Sequence, residues 1–441
     1  MNAPLKTPSW TLRALAVWAC AALFYGYQYV LRVSPGGLTD ELARDFSVQG
    51  CALGILAAWY YNAYACLQVP VGLALDRLGT RKLVSVSILL CAAGCAVFAS
   101  AQSVPAACVA RLLMGMGSAC AFIGSIKLIT LWFPRQLVAR MVGFTMTIGT
   151  VGATLGVTVL PMYFKSIGWR ESMVLLSWIG AALALFAWFV MKPRQNSLEE
   201  AGTRVSQVEE EGQEKPLLEG LKRVAKTPQV WYLAFFGCLM YVPVAVFTDL
   251  WGVPFLTRLY HMDSVQTGAY LSALPWGIAV GGMAFSAMSD RIKRRLPLMR
   301  LGAFVSVICY GIIILVPVPA PLMGVLLIVA GFSFGGQLLC FTAVTESLPL
   351  WASGVAVGFT NMVIMTSGVL FQPLVGKLLD VFWDGVPGVD GAMFSVEAFR
   401  WAFTPVVLGL GGAFLLTFVI KETHPERQKI CPAGDVSPQA A

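Results

Sequence analysis

The sequence is poor in charged residues. Of its 441 residues, only 12% are Asp, Glu, Lys or Arg, whereas 57% are hydrophobic. A soluble domain is about 25% charged and roughly 45–50% apolar, so this composition excludes a water-soluble fold, and it also excludes a disordered or collagen-like chain. The composition therefore predicts an all-α membrane protein with many spanning segments.

Histidine is scarce and cysteine is never paired. There are two histidines, neither in a long apolar run, and the eleven cysteines include no C-x-x-C pair. This argues against a zinc site or a disulfide framework. The sequence also lacks the HExxH motif of zinc enzymes and the G-x-x-x-x-G-K-[ST] loop of ATP-driven proteins. We therefore expect no metal, no cofactor and no enzymatic activity.

Twelve apolar runs are long enough to cross a bilayer, which takes about 20 helical residues. The predicted spans 1 to 12 are 14–33, 52–75, 83–101, 105–130, 141–164, 172–191, 230–256, 266–288, 301–318, 321–348, 352–376 and 401–420. Span 1 lacks a small-residue cleavage site, which favours an uncleaved span over a signal peptide. The glutamate-rich segment 192–228 predicts a linker. The predicted domains are thus an N-terminal bundle (1–191), this linker, a C-terminal bundle (229–420) and a tail (421–441).

Lys and Arg are distributed unevenly between the connections. If the N-terminus is inside, 22 lie inside and six lie outside. Cytoplasmic loops carry an excess of Lys and Arg, so both termini are predicted to be cytoplasmic, in an inner membrane. The same bias explains the net charge of +8 without nucleic acid.

Short segments of the first half recur in the second half, in the same order. The pairs, offset by 214, 215 and 219 residues, are Asp76-Arg77 with Asp290-Arg291, Gly143-Phe144-Thr145 with Gly358-Phe359-Thr360, and Leu131-Trp132 with Leu350-Trp351. Three ordered matches at nearly one offset indicate two duplicated six-helix halves. Such repeats are typical of secondary transporters, whose substrate site lies at the interface of the repeats.

The loop after span 2 carries the most specific motif. Residues 72–82 read G-x-x-x-D-R-x-G-x-R-K, which resembles the cytoplasmic signature of the major facilitator superfamily, and 286–295 hold a degenerate copy. The resemblance covers nearly the whole chain and implies two pseudo-symmetric six-helix bundles that rock in alternating access. It implies a gating role for Gly72, Asp76, Arg77, Gly79, Arg81, Asp290 and Arg291. A carboxylate at a helix end can hold guanidinium groups and the N-terminus of a facing helix. We interpret Lys82 and Arg295 as topology anchors.

Five charges fall within predicted spans, where each costs roughly 2.5–3.5 kcal/mol on insertion scales and is therefore a functional candidate. They are Arg32, Arg111, Lys127, Asp249 and Glu346. Lys127 and Glu346 each precede a repeated Trp by five residues, which favours an inner gate pair over interfacial snorkelling. Arg111 begins R-x-x-x-G-x-G, which resembles the span 4 motif of the superfamily. It is predicted either to orient helices or to bind substrate.

Arg32 shares a helical face with Tyr25 and Tyr29. Span 2 adds a hydrogen-bonding wall of Tyr60, Tyr61, Asn62, Tyr64 and Gln68. An aromatic wall with one guanidinium group suits a carboxylate or phosphate ligand. These residues resemble the organic-anion and organophosphate branches of the superfamily; the alternative is that Arg32 snorkels to the surface. The second Arg of the organophosphate branch is missing from span 7.

Asp249 follows Arg32 by 217 residues, so the two should occupy related places in the two halves. They could bind the two charges of a zwitterion or pair as an outer gate. Asp249 and Glu346 are the candidates for proton coupling, and Trp251 is a candidate for lining the cavity.

The predicted function is secondary or facilitative transport of a small polar solute, with protons as a candidate coupling ion. Spans 1 and 7 are similar to bacterial relatives of the lysosomal dipeptide transporter branch, which implies a zwitterion such as a dipeptide. The alternatives are an organic-anion symporter or antiporter and, in another class, a transport-dead membrane sensor. The expected partners are the solute and the lipid bilayer, the expected state is monomeric, and no nucleic acid is expected.

Overall fold

The structure is a computed structural model that describes residues 12–191, 217–383 and 394–423. Throughout these ranges the chain is helical and contains no strand. Eleven segments are long and apolar enough to cross a membrane. Span 2, a single helix of 29 residues, completes the twelve. The predicted all-α fold with twelve spans is confirmed.

Six spans form the first half. Their helices are Leu12–Val33, Gly50–Leu78, Thr80–Ser100, Val104–Trp132, Arg135–Thr158 continued by Leu160–Ile167, and Trp169–Val190. A 3₁₀ turn, Ser34–Gly37, and a short helix, Thr39–Phe46, join spans 1 and 2. The break within span 5 falls just before Pro161, which cannot donate a backbone hydrogen bond.

Six spans also form the second half. Their helices are Pro228–Pro243 with Val244–Trp251 and Gly252–Tyr260, Ser264–Leu271 with Ala273–Ile292, Leu296–Leu315, Ala320–Ser333 with Gly335–Glu346, Ser353–Val381, and Val396–Ala402 with Thr404–Leu416. The middle segment of span 7, Val244–Trp251, is a π-helix. A 3₁₀ turn, Leu350–Ala352, precedes span 11. Helix Leu217–Ala225 lies in the predicted linker; the rest of the linker up to residue 216, and the tail beyond residue 423, lie outside the described residues.

The two halves meet along spans 2 and 11, along spans 5 and 8, and where the end of span 1 and the 3₁₀ turn after it contact span 7. We call the membrane face that carries residues 72–82 the signature face and the other the distal face. At the distal face, a Cβ atom on Gly268 of span 8 would collide with the carbonyl group of Val157 of span 5. Glycine at position 268 therefore allows the halves to touch there.

Candidate functional site

A buried ion pair joins the two halves. Arg32 Nε lies 2.8 Å from Asp249 Oδ2, and the two side chains are 4% and 3% exposed. Arg32 Nη2 also donates to the hydroxyl group of Tyr61 at 2.7 Å and to that of Tyr241. Tyr61 in turn donates to the Asp249 carboxylate. The guanidinium carbon lies 4.7 Å from the ring centroid of Tyr61 and 5.3 Å from that of Tyr241. Because removal of one partner from a buried ion pair is strongly destabilising, the two charges depend on each other.

The ion pair of Arg32 and Asp249 lies where both backbones depart from regular α-helix. Arg32 lies in the last turn of span 1, directly before the 3₁₀ turn Ser34–Gly37. Asp249 lies in the π-helix, a rare form that is frequent at functional sites. Gln372 of span 11 supports the π-helix by donating from Nε2 to the carbonyl oxygen of Ala245 at 2.7 Å. A Cβ atom on Gly36 would lie 3.1 Å from the carbonyl oxygen of Leu250, so the two irregular segments lie in close contact.

Arg111 bonds to the backbone of span 1. It is 1% exposed, and its Nη1 donates to the carbonyl oxygen of Leu31 at 2.6 Å while its Nη2 donates to that of Arg32 at 3.3 Å. Its guanidinium carbon lies 4.7 Å from the ring centroid of Tyr60. Arg111 thus binds two carbonyl groups at the end of the helix that carries Arg32.

The predicted tyrosines surround this centre. Tyr29 lies with its ring centroid 5.5 Å from the Arg32 guanidinium carbon, and its hydroxyl group is 3.4 Å from that of Tyr25. Tyr60 donates to Gln28 Oε1 at 2.8 Å and stacks on Tyr64, with 6.3 Å between ring centroids. The structure therefore brings all four close to one another or to the Arg32 group.

Trp251 lies within the C-terminal half. Its indole nitrogen donates to the carbonyl oxygen of Gln372 at 3.3 Å, and its ring lies 6.4 Å from that of Phe399. The side chain is 1% exposed. These contacts fix the π-helix of span 7 against span 11 and the first helix of span 12.

The sequence prediction placed Tyr61 in the wall of span 2 without selecting it as a binding residue, and it missed Tyr241; both bond directly to Arg32. Tyr61 has two neighbouring candidates in Tyr60 and Tyr64, and periodicity alone does not select among them. Tyr241 precedes Asp249 by eight residues, a spacing that places the two about 80° apart on a regular α-helix. The π-helix between them changes this angle, and hydropathy does not predict it.

A second ion pair joins the halves at the distal face. Arg258 Nη2, at the end of span 7, lies 2.9 Å from Asp40 Oδ1 in the helix after span 1. The Arg258 side chain is 9% exposed, whereas Asp40 is 46% exposed. Together with the contact of Gly268 and Val157, this pair closes the distal side.

The signature loop lies at the opposite end. Arg81 Nε donates to the carbonyl oxygen of Trp188 at 2.8 Å, and its guanidinium carbon lies 4.4 Å from the centroid of that indole ring. Gly79 has a φ of +76°, a conformation that favours glycine, and it separates the helices of spans 2 and 3. The side chains of Asp76 and Arg77 lie outside the described part of the structure, so their predicted gating contacts stay predictions.

The degenerate copy of the signature contains a cluster around Arg295. Arg295 Nη1 lies 2.7 Å from Asp290 Oδ1, and Nη2 lies 3.0 Å from Glu346 Oε1. Burial lowers the pKa of Arg295, but the hydrogen bonds and charges of Glu346 and Asp290 outweigh it, so the pKa is raised. The interpretation of Arg295 as a mere topology anchor is wrong, because its side chain is only 7% exposed. Arg291, in contrast, is exposed.

Glu346 bonds within the C-terminal half in this conformation. Besides Arg295, its carboxylate accepts a hydrogen bond from Thr423 Oγ1 at 2.7 Å. The Lys127 side chain is also engaged in an interaction in this conformation. An inner gate formed by Lys127 and Glu346 therefore stays a prediction for another conformation of the protein.

The fold and this buried, charged centre define a membrane transporter. Residues 17–373 match the Major Facilitator Superfamily, and the chain belongs to this family. The probable sulfoacetate transporter SauU of Cupriavidus necator is 24% identical over 409 residues, which cover 86% of this chain and 91% of SauU. The probable anion transporter 5 of Arabidopsis thaliana is 24% identical over 376 residues, 80% of this chain and 84% of that protein.

A solved structure shows the same fold. A bacterial homologue of the human lysosomal transporter Spinster, in an inward-facing and occupied conformation, superposes with a TM-score of 0.73 at 16% identity, over 92% of this chain and 96% of that one. These similarities confirm the predicted superfamily and show that the chain is a multi-pass membrane transporter of small solutes and not an enzyme.

Proposed function

We propose that this chain transports a small organic anion together with a proton, with Arg32 as the anion ligand and Asp249 as the proton carrier. The buried ion pair of these two residues is the observation that carries the proposal. Within the described spans, the charged side chains that are less than 5% exposed are Arg32, Arg111 and Asp249. Two cations and one anion leave a formal charge of +1, and the entry of one anion together with one proton leaves this charge unchanged.

The pair also explains why a proton accompanies the anion. A carboxylate or sulfonate group that binds Arg32 displaces Asp249, which is then a buried carboxylate without its cation. Such a charge is costly in a low-dielectric interior, and protonation of Asp249 removes it. The hydroxyl groups of Tyr61 and Tyr241, already bonded to Arg32, are positioned to contact the entering anion. Relatives named as sulfoacetate and anion transporters support this solute class.

The remaining buried residues have supporting roles. Arg111 orients the end of span 1 through two carbonyl groups, a role that favours helix orientation over substrate contact. Tyr25, Tyr29, Tyr60 and Tyr64 line the approach to Arg32. Trp251 packs within the second half and does not contact the solute.

A zwitterion such as a dipeptide is the second candidate. One observation favours it: the Asp249 carboxylate lies directly beside the Arg32 guanidinium group, so a solute with a carboxylate and an ammonium group could replace each charge in turn. In that mechanism Asp249 stays ionised throughout, and transport needs no proton on it.

Uptake into proteoliposomes separates the two candidates. We would measure uptake of labelled sulfoacetate, galactonate and dialanine, with and without an inward proton gradient. Organic-anion transport predicts saturable uptake of an acid that rises with the gradient and that dialanine does not inhibit. Arg32→Ala should abolish it, whereas Arg294→Ala, at an exposed position, should not. Saturable dialanine uptake without competition by the acids would select the second candidate, and no saturable flux of any of the three would reject both.

The orientation follows from the charge bias of the loops. The signature face is cytoplasmic in this proposal, with both termini on that side of an inner membrane and the chain acting as a monomer. Labelling intact cells with a membrane-impermeant thiol reagent tests the orientation. A cysteine at exposed Ser166 should react, whereas one at exposed Lys293 should react only after lysis.

A further inference from the structure

Spans 2 and 11 share a four-residue pattern at identical spacing. Each residue of span 11 follows its counterpart by 304 positions, and the pairs are Gly50 and Gly354, Gly54 and Gly358, Gly72 and Gly376, and Asp76 and Asp380. Both helices contain 29 residues. This offset differs from the 214 to 219 residues that relate the two halves, so the pattern belongs to the two helices that face each other across the interface.

At the distal face, the end of span 11 contacts the start of span 2. Asp380 Oδ1 accepts a hydrogen bond from the Gly50 amide at 2.7 Å, and Oδ2 accepts one from the Cys51 amide at 2.8 Å. These amides begin the helix of span 2, where N–H groups have no acceptor in their own helix and attract a negative charge. The preceding residue, Gln49, supplies no side-chain cap. A carboxylate from the second half therefore caps a helix of the first half.

Glycine makes this approach possible. A Cβ atom on Gly50 would lie 2.7 Å from the carbonyl oxygen of Gly376, closer than real Cβ atoms come, and one on Gly376 would collide with the carbonyl group of Gly50. The two backbones thus touch where Asp380 binds.

At the signature face, the counterparts are apart. The antiparallel register that places Gly50 opposite Gly376 also places Gly354 opposite Gly72. Among the described atoms, however, a Cβ atom on Gly72 or on Gly354 would have no neighbour within 4 Å. Gly72 and Gly354 are therefore not in contact in the conformation that closes the distal face, whereas one turn further in a Cβ atom on Gly358 would lie 3.7 Å from the Val69 side chain.

We propose that Asp380 is a gating residue of the distal face. Its cap on the first amides of span 2, which we call the distal clasp, holds spans 2 and 11 together when the distal face is closed and is released when that face opens. At the signature end of the same helix pair, the family signature already implies a gating role for Asp76. This role does not depend on which solute is carried and goes beyond the proposed function.

Electron paramagnetic resonance distances on the solute-free full-length protein test the distal clasp. Spin labels on cysteines at exposed Ser166 and Val316 report separation of the two halves at the distal face. We expect Asp380→Asn to raise the ratio of long to short distances at least about fivefold, which is the equilibrium effect of losing a charge at a helix N-terminus worth about 1 kcal/mol. Asp76→Asn should instead lower that ratio, and Glu397→Gln, an exposed carboxylate on the same face as Asp380, should leave it unchanged.

A second pair of variants keeps the test decisive if Asp380→Asn does not fold. Gly376→Ala leaves the carboxylate in place but forces the two backbones apart, so it should raise the distal ratio. Gly354→Ala, where the space is open in this conformation, should not raise it. Distances unchanged by Asp380→Asn, or shifted in the same direction by Asp380→Asn and Asp76→Asn, would overturn the proposal. If Asp380→Asn does not fold, an unchanged ratio of long to short distances in Gly376→Ala would overturn the proposal.

Discussion

Arg32 of the first half and Asp249 of the second half share one hydrogen-bonded ion pair, with 2.8 Å between Arg32 Nε and Asp249 Oδ2. Each residue occupies a related place in its own half, yet the backbone around Arg32 tightens into a 3₁₀ turn while the backbone around Asp249 widens into a π-helix. The sequence repeat predicts the two charges at related positions of the two halves, and the structure brings them into contact where both backbones depart from regular α-helix.

We expect Asp249→Asn to separate binding from proton coupling. Asparagine cannot carry the proton, so uptake driven by a pH gradient should be lost. Exchange of labelled for unlabelled anion needs no net proton movement and should persist. Counterflow and gradient-driven uptake, measured on the same proteoliposomes with Glu397→Gln as the control, check this. If gradient-driven uptake by Asp249→Asn equals that of the wild type, Asp249 is not the proton carrier.

We expect Arg111→Lys to weaken solute binding by about tenfold in KM without abolishing transport. A lysine ammonium group cannot reach two carbonyl oxygens as a planar fork while stacking on Tyr60, so Arg32 loses part of its orientation. Kinetics of uptake, together with the thermal midpoint of the purified protein, give the readout. Arg44→Lys, at an exposed position, is the control. A lowered thermal midpoint with an unchanged KM would show that Arg111 stabilises the fold and does not position Arg32.

We expect Arg295→Ala to destabilise the second half. It leaves Glu346, whose side chain is 7% exposed, without its cation, and removal of one partner from a buried pair costs up to about 3–5 kcal/mol. Thermal unfolding in detergent should show a clearly lower midpoint. The neighbouring exposed variant Arg294→Ala should unfold like the wild type. Equal midpoints for the two variants would return Arg295 to the role of a topology anchor.

Acid should weaken a distal contact outside the spans. Burial raises the pKa of Asp45, but hydrogen bonds from Trp169 and Arg170 outweigh it, so the pKa lies below the ordinary value of 3.8. The contact therefore contributes stability above that value and loses it as the pH falls through the lowered pKa. The side chains of Arg170 and Asp45 are 39% and 35% exposed, so we expect at most about 1 kcal/mol. Asp45→Asn should flatten the fall of the thermal midpoint between pH 5 and 3; a fall as steep as in the wild type would contradict this.

Hydropathy predicted the spans well because their burial in lipid depends on composition and length. The prediction of 14–33 for span 1 corresponds to Leu12–Val33, and that of 172–191 for span 6 corresponds to Trp169–Val190. The π-helix Val244–Trp251 could not be predicted this way. A π-helix differs from an α-helix in its backbone hydrogen bonds and in the angle between successive side chains, and average hydropathy reports neither.

The site was predictable where charge is rare. Arg32, Arg111 and Asp249 are recognisable because lipid disfavours charge, and the structure places all three in one buried cluster. Tyr241 was missed and Tyr61 was not singled out within the wall of span 2, because tyrosine is common in these spans and only the packed structure selects which ones meet Arg32. Arg295 was misinterpreted because a count of positive charges per loop does not report burial.

The Tyr61 hydroxyl group bridges Arg32 and Asp249, and this bridge also bears on proton leak in the absence of solute transport. Asp249 is bonded to the Arg32 cation and to a hydrogen-bond donor, so in the proposed mechanism it takes a proton only after a solute has replaced that cation. In that mechanism, a transporter that returns without solute carries no proton with it. Uncoupled leak of protons across the membrane should be slow, and the gradient is used only when solute moves.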